Sequence, residues 1–118
     1  DLRPFAAAAA RLLRPGGAAL LHLLNRWPLL EAARWFGSAR RVVRIGGISV
    51  PHTTHSPLSL YRRVFAPAFV LEQVEGMGVF CPVQGEPGGR AARWEARVAG
   101  RWPFFALGTF FALQLRRR

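Results

Sequence analysis

LLRPGGAALLHLLN, residues 12–25, joins the end of a helix to the start of a strand. Pro15 lacks the N–H that a continuing helix needs, and Gly16 and Gly17 take positive φ at no steric cost, so helical periodicity stops there. Ala18 to Leu24 then runs apolar apart from His22, the pattern of a short strand covered on both faces, as in a parallel sheet with helices on each side. One such strand is not stable alone. It needs neighbours.

Working outward, Asp1 is placed as an N-cap and Pro4 falls in a first helical turn. Leu2, Phe5, Ala6, Ala9, Leu12 and Leu13 follow at helical spacing, which makes an amphipathic helix packed on the sheet. After the strand, Trp27 to Phe36 reads as a helix with Leu29, Leu30, Ala33 and Phe36 inward and Gly37 at its end. Val42 to Ile45 and Ile48 to Val50 flank Gly46-Gly47, the two-residue connection of a β-hairpin. Ser56-Pro57 opens a further helix carrying Leu60, Tyr61, Val64, Phe65 and Ala68. Phe69 to Val74 is a strand, Gly76 to Gly78 a bend, Val79 to Val83 a continuation broken at Pro82, and Gln84 to Gly89 a loop. Ala91 to Val98 forms a helix around Trp94, and Thr109 to Leu115 a last strand before a solvated tail, Arg116 to Arg118.

The 118 residues, 51% of them hydrophobic, allow one small domain with a modest core and exclude a disordered chain. Seventeen basic residues, all arginine, against six acidic ones give a formal charge of +11. Such an excess suits nucleic acid, an anionic substrate or a membrane surface, or reflects an arginine-rich coding bias on solvated faces. The arginines are scattered along the chain, and only short pairs and a triplet cluster, without one dense stripe. Cys81 is the only cysteine, so an intrachain disulfide is excluded and a cytoplasmic setting is expected; the thiol reads as a small buried hydrophobe. Neither apolar run, Ala18 to Leu24 or Trp102 to Leu113, reaches the roughly 20 residues that cross a bilayer. An opening at a helix cap without methionine reads as part of a longer protein.

The order helix, Arg-Pro-Gly-Gly turn, apolar strand ending in Asn, short helix and two late strands resembles the C-terminal half of a class I S-adenosylmethionine-dependent methyltransferase. LLRPGGAALLHLLNR is similar to that family's helix leading into its fifth strand. VRIGGISVPHTTHSPLSLYRRVFAPAFVLEQVEGMGVFCPV resembles the hairpin, Ser-Pro-capped helix and strand of one subgroup, and FFALGTFFALQLRRR resembles the last strand. The resemblance implies an α/β fold: the C-terminal part of a Rossmann-like methyltransferase sheet, three core strands with flanking helices and a hairpin insertion at about residues 42–56. Residues 1–118 would form one partial domain, with the last strand antiparallel between the other two. It also implies that the glycine-rich loop and acidic residue holding S-adenosylmethionine lie before Asp1, so that this chain holds no cofactor residue itself.

Ligands of open α/β sheets gather beyond the carboxyl ends of the strands, which puts Asn25 and Arg26 at the mouth of the implied site as acceptor contacts, with Tyr61 added to them. The plainer roles are a helix cap for Asn25 and a solvated cation for Arg26. His52 and His55, between the hairpin and the next helix, are candidates to take a proton from an acceptor hydroxyl or amine, or are surface and capping histidines. Their spacing lacks the Glu of a zinc-peptidase helix, so no metal is expected. His22 reads as a hydrogen-bonded core residue rather than a base, and Trp27, Trp35, Trp94 and Trp102 as packing residues, with an aromatic platform for nucleobases as the sharper alternative. Two functions stay open: methyl transfer from S-adenosylmethionine to an acceptor, most simply a small molecule, or nucleic-acid binding by an arginine-rich module without catalysis.

Overall fold

In the computed structural model the described residues are 1–30, 32–80 and 89–118. Cys81, the break at Pro82 and most of the expected loop lie outside them. The elements run α1 (Arg3–Leu12), β1 (Ala18–Leu24), α2 (Ala32–Trp35), β2 (Arg40–Ile45), β3 (Ile48–Thr53), α3 (Pro57–Leu60), β4 (Phe69–Met77), α4 (Gly89–Val98) and β5 (Phe110–Arg117). The chain is thus mixed α/β, built on a small antiparallel sheet with helices against it.

That sheet has the order β1-β5-β4, with β5 antiparallel to both neighbours and β1 at one edge. The turn after α1 sets where β1 starts. Gly16 has φ 77°, a left-handed conformation natural to glycine. Its N–H donates to the Arg117 carbonyl at 3.0 Å, and Arg117 N–H donates back to Gly17 at 2.8 Å. The start of β1 is thereby pinned to the end of β5, and Ala18 faces Arg116. β5 runs two residues past the expected strand end, so Arg116 and Arg117 belong to the sheet and not to a solvated tail.

Alternation along β5 makes the core. Phe111, Leu113 and Leu115 have no exposed surface, while Gln114 and Arg116 on the other face are exposed. Ala6 of α1, Leu60 of α3, Phe65 and Phe69 join them in one apolar cluster, edged by Ala19, Leu21 and Leu23 of β1. Full burial of a Phe or Leu side chain contributes about 1.5–3 kcal/mol. All of this lies on one face of the sheet. The expectation that β1 is covered on both faces is corrected: Leu20 and His22 point to the open face, and Leu20 is 73% exposed. His22 is not a core residue but packs its ring against Phe110, centroids 5.0 Å apart. On α1, Phe5 and Leu12 are exposed, and the buried stripe is drawn by Ala6 with Leu2, Ala9, Ala10 and Leu13.

The hairpin of β2 and β3 forms a separate two-stranded sheet. Gly46 and Gly47 have φ 56° and 82°, the two positive values a tight primed turn requires. The helix expected over Trp27 to Phe36 shrinks to α2. Leu29 N–H turns aside to the Leu107 carbonyl at 2.8 Å and Gly37 N–H to the Arg26 carbonyl at 2.8 Å, which closes the segment as a loop. Leu29, Leu30 and Phe36 are consequently exposed instead of inward. α3 widens after Leu60 into a π-helical turn, Tyr61–Phe65, closed by Ala66 N–H to the Tyr61 carbonyl at 2.9 Å. Ser56 precedes α3 but does not cap it; its Oγ accepts the Trp27 indole N–H at 3.0 Å.

β4 continues through the expected bend as far as Met77, because Gly76 lets the short 3-10 turn at Phe104–Ala106 approach its backbone. Among the described residues no helix is long and apolar enough to cross a membrane.

Candidate functional site at the carboxyl end of β1

β1 ends by taking on a new neighbour. His55 N–H donates to the Leu24 carbonyl and Arg26 N–H to the His55 carbonyl, each at 3.0 Å, so Asn25 and His55 form a single parallel bridge. Asn25 N–H reaches the Thr109 carbonyl on the opposite side at 3.1 Å. Asn25 is wholly buried. Its Oδ1 accepts Trp27 N–H at 3.3 Å, a local turn cap, since α2 starts only at Ala32. Its Nδ2 is buried and has no acceptor among the described residues. A buried amide donor without a partner costs about 1–3 kcal/mol, so such groups are few in folded proteins.

Arg26 is half-buried, with Nη2 at 3.4 Å from the Thr54 carbonyl and a buried Nε that also has no acceptor among the described residues. Thr54 is itself fully buried and anchors the hairpin exit: its N–H donates to Ala39 at 3.0 Å and its hydroxyl to the Ser38 carbonyl. A second cation joins here that the sequence did not single out. Arg41, only 5% exposed, donates through Nη1 to the Thr109 carbonyl at 3.3 Å and lies 5.8 Å from the Trp35 ring. Its place in the run Arg40-Arg41-Val42-Val43 on a hairpin strand was the one available signal, and period-two alternation alone does not say which arginine turns inward.

Burial first, then the Arg26 guanidinium, hold the His55 imidazole below the ordinary histidine pKa. The unfolded chain therefore takes up this proton first as pH falls. Stability from His55 is complete above about pH 6.5 and declines as pH drops from there toward the lower folded value. Urea midpoints measured from pH 8 to pH 5 should fall more for the natural protein than for His55→Gln, whose backbone can keep both bridge hydrogen bonds. Equal falls would show that His55 is not the group responsible.

His52 lies beside this bridge on β3, opposite Arg41 in the hairpin register. It lines a cleft of about 560 Å³ between the hairpin and the open face of the sheet, together with His22, Leu24, Arg44, Thr53 and Phe110. The cleft combines an aromatic and aliphatic floor with two imidazoles, a guanidinium and a hydroxyl, and its size falls within the range of small-molecule sites.

Of the residues expected at a site, Asn25, Arg26 and His55 come together and His52 stands in the adjoining cleft. Tyr61 does not join them. Its hydroxyl donates to the Phe69 carbonyl at 3.1 Å, and Phe69 pairs with Arg117 at the end of the sheet where β1 begins. Among the described residues no three His, Cys, Asp or Glu side chains group as a metal site. Nor do Asn25, Arg26 and His55 bring a carboxylate for a ribose or a glycine-rich turn for a methionine tail, so they do not by themselves fit S-adenosylmethionine. A scan of protein-family models and a search of curated proteins find no match to this chain.

Proposed function

We propose that this chain is the C-terminal half of a class I S-adenosylmethionine-dependent methyltransferase and supplies the acceptor side of its site. The observation that carries the reading is the strand order β1-β5-β4, in which the last strand enters antiparallel between two earlier ones. This is the order that the resemblance of LLRPGGAALLHLLNR and FFALGTFFALQLRRR implies. The meeting of Asn25, Arg26 and His55 at the carboxyl end of β1 supports it further, since open α/β sheets bind ligands there.

On this reading the cleft between the hairpin and the sheet receives a small-molecule acceptor. Arg44 and the floor formed by Phe110 orient it, and positioning supplies much of the rate. His52, on the cleft wall, is placed to take a proton from an acceptor hydroxyl or amine, with His55 at the neighbouring bridge, its pKa lowered by burial and by Arg26, as the alternative. The cofactor belongs to sequence before Asp1. Titration with S-adenosylmethionine of the protein expressed with its upstream coding region tests the assignment: saturable one-site binding supports it, and a folded protein that does not bind overturns it.

A further inference from the structure

α4 keeps a polar and a nonpolar contact inward and leaves the rest of its surface to solvent. Val98 is buried, and the Glu95 carboxylate turns in to accept the N–H groups of Gly78 at 2.7 Å and Phe80 at 3.0 Å. Glu95 is the only acid in Gly89–Val98, so the outward face is left purely cationic. Arg90, Arg93 and Arg97 lie there at i, i+3 and i+7 around Trp94, and these four side chains line a groove of about 380 Å³. Trp94 is 59% exposed, which corrects its expected packing role.

A solvated helix face accounts for three arginines but not for an indole left in water among them. The combination that uses both is a chain of phosphates carrying planar bases, because guanidinium groups pair with phosphate oxygens and an exposed indole stacks on an unpaired base. We propose that the outward face of α4 binds single-stranded nucleic acid, with Trp94 stacking on a base and Arg90, Arg93 and Arg97 contacting consecutive phosphates.

The three arginines span about 10 Å of helix axis at 1.5 Å per residue. Three consecutive phosphates of a stacked strand are two steps apart, about 7 Å of rise at roughly 3.4 Å each, a difference that the long arginine side chains can span. A duplex offers the phosphates but closes its bases to Trp94. A membrane surface is a poorer fit, since the other outward apolar residues of α4 are only Ala91 and Ala96, too small for the broad apolar face that interfacial helices bury.

Fluorescence anisotropy of a short labelled single strand titrated with the intact protein tests this. Trp94→Ala should weaken binding about tenfold, and Trp94→Phe, which keeps a smaller ring, should recover part of the loss. Arg93→Ala with Arg97→Ala should lower the slope of log affinity against log salt by about 1.4, two phosphate contacts at 0.7 each. Arg11→Ala with Arg14→Ala, an equal loss of charge on exposed positions in and just after α1, should change affinity less than about twofold and leave most of the salt slope. Circular dichroism verifies that each variant is folded. Equal losses for the α1 and α4 pairs, tighter binding to duplex or to phosphatidylserine vesicles than to the single strand, or no binding at low salt would each overturn the proposal.

Discussion

Phe111→Ala is expected to cost about 3–5 kcal/mol, the range for deleting a fully buried aromatic ring. Phe111 has no exposed surface and stands in the central strand, facing Leu23 on β1 and Gly76 on β4. Its ring therefore joins both halves of the sheet to the cluster under α1 and α3. Neighbouring Leu113 and Leu115 are equally buried, and the backbone ladders on both sides of β5 limit how far the sheet can close over the gap. Small domains hold only about 5–15 kcal/mol in total, so the variant should lose much of its cooperative urea transition. A midpoint shift equivalent to less than about 1 kcal/mol would show that the core does not rest on β5.

Gly108→Ala should be nearly as severe, for a different reason. A Cβ at this position would lie 2.7 Å from Met77 N, from Met77 O and from Phe110 O. All three are backbone atoms inside or beside paired strands, so no flexible side chain can yield. Overpacking of this kind costs typically 1–3 kcal/mol, and the upper end or beyond is expected where backbone must move. The next residue is Thr109, whose carbonyl receives Asn25 N–H and Arg41 Nη1. The variant should accordingly melt at lower temperature and also disturb the Asn25 and Arg41 amide environments in NMR spectra. A variant with natural stability would show that the chain before β5 runs further from Met77 than the structure has it.

What was legible in the sequence was what the backbone must do locally. Pro15-Gly16-Gly17 announced a helix stop, Gly46-Gly47 a tight hairpin, and the aromatic run before Arg116 a strand, because these depend on φ preferences and short-range pattern. What covers each apolar face was not legible. Leu20 and Leu12 have the composition of core positions, yet nothing described lies over them, since apolarity records a preference for burial and not the presence of a cover. Trp27 to Phe36 carried a helical pattern that lost to tertiary hydrogen bonds from Leu29 and Gly37. At the site, Asn25 and Arg26 followed from the rule that ligands gather at strand ends. The pairing of His55 with Asn25 depended on how the chain returned after the hairpin, a contact between segments about thirty residues apart. Tyr61 failed to join them for the same reason: its position on a helix said nothing about which end of the sheet that helix would reach.

The place of β1 at the sheet edge acquires a meaning if β1 is an interior strand of a larger sheet, as the methyltransferase reading requires, and the exposure of Leu20 does so if a helix of that larger fold lies over the open face. Calorimetric titration with S-adenosylmethionine tests that reading most directly when the 118-residue chain and the protein extended upstream of Asp1 are compared side by side. No saturable binding is expected of the chain alone, and one site of micromolar affinity, about −8 kcal/mol, in the extended protein, displaced by S-adenosylhomocysteine. An extended protein that is folded and takes up no S-adenosylmethionine would contradict the methyltransferase reading.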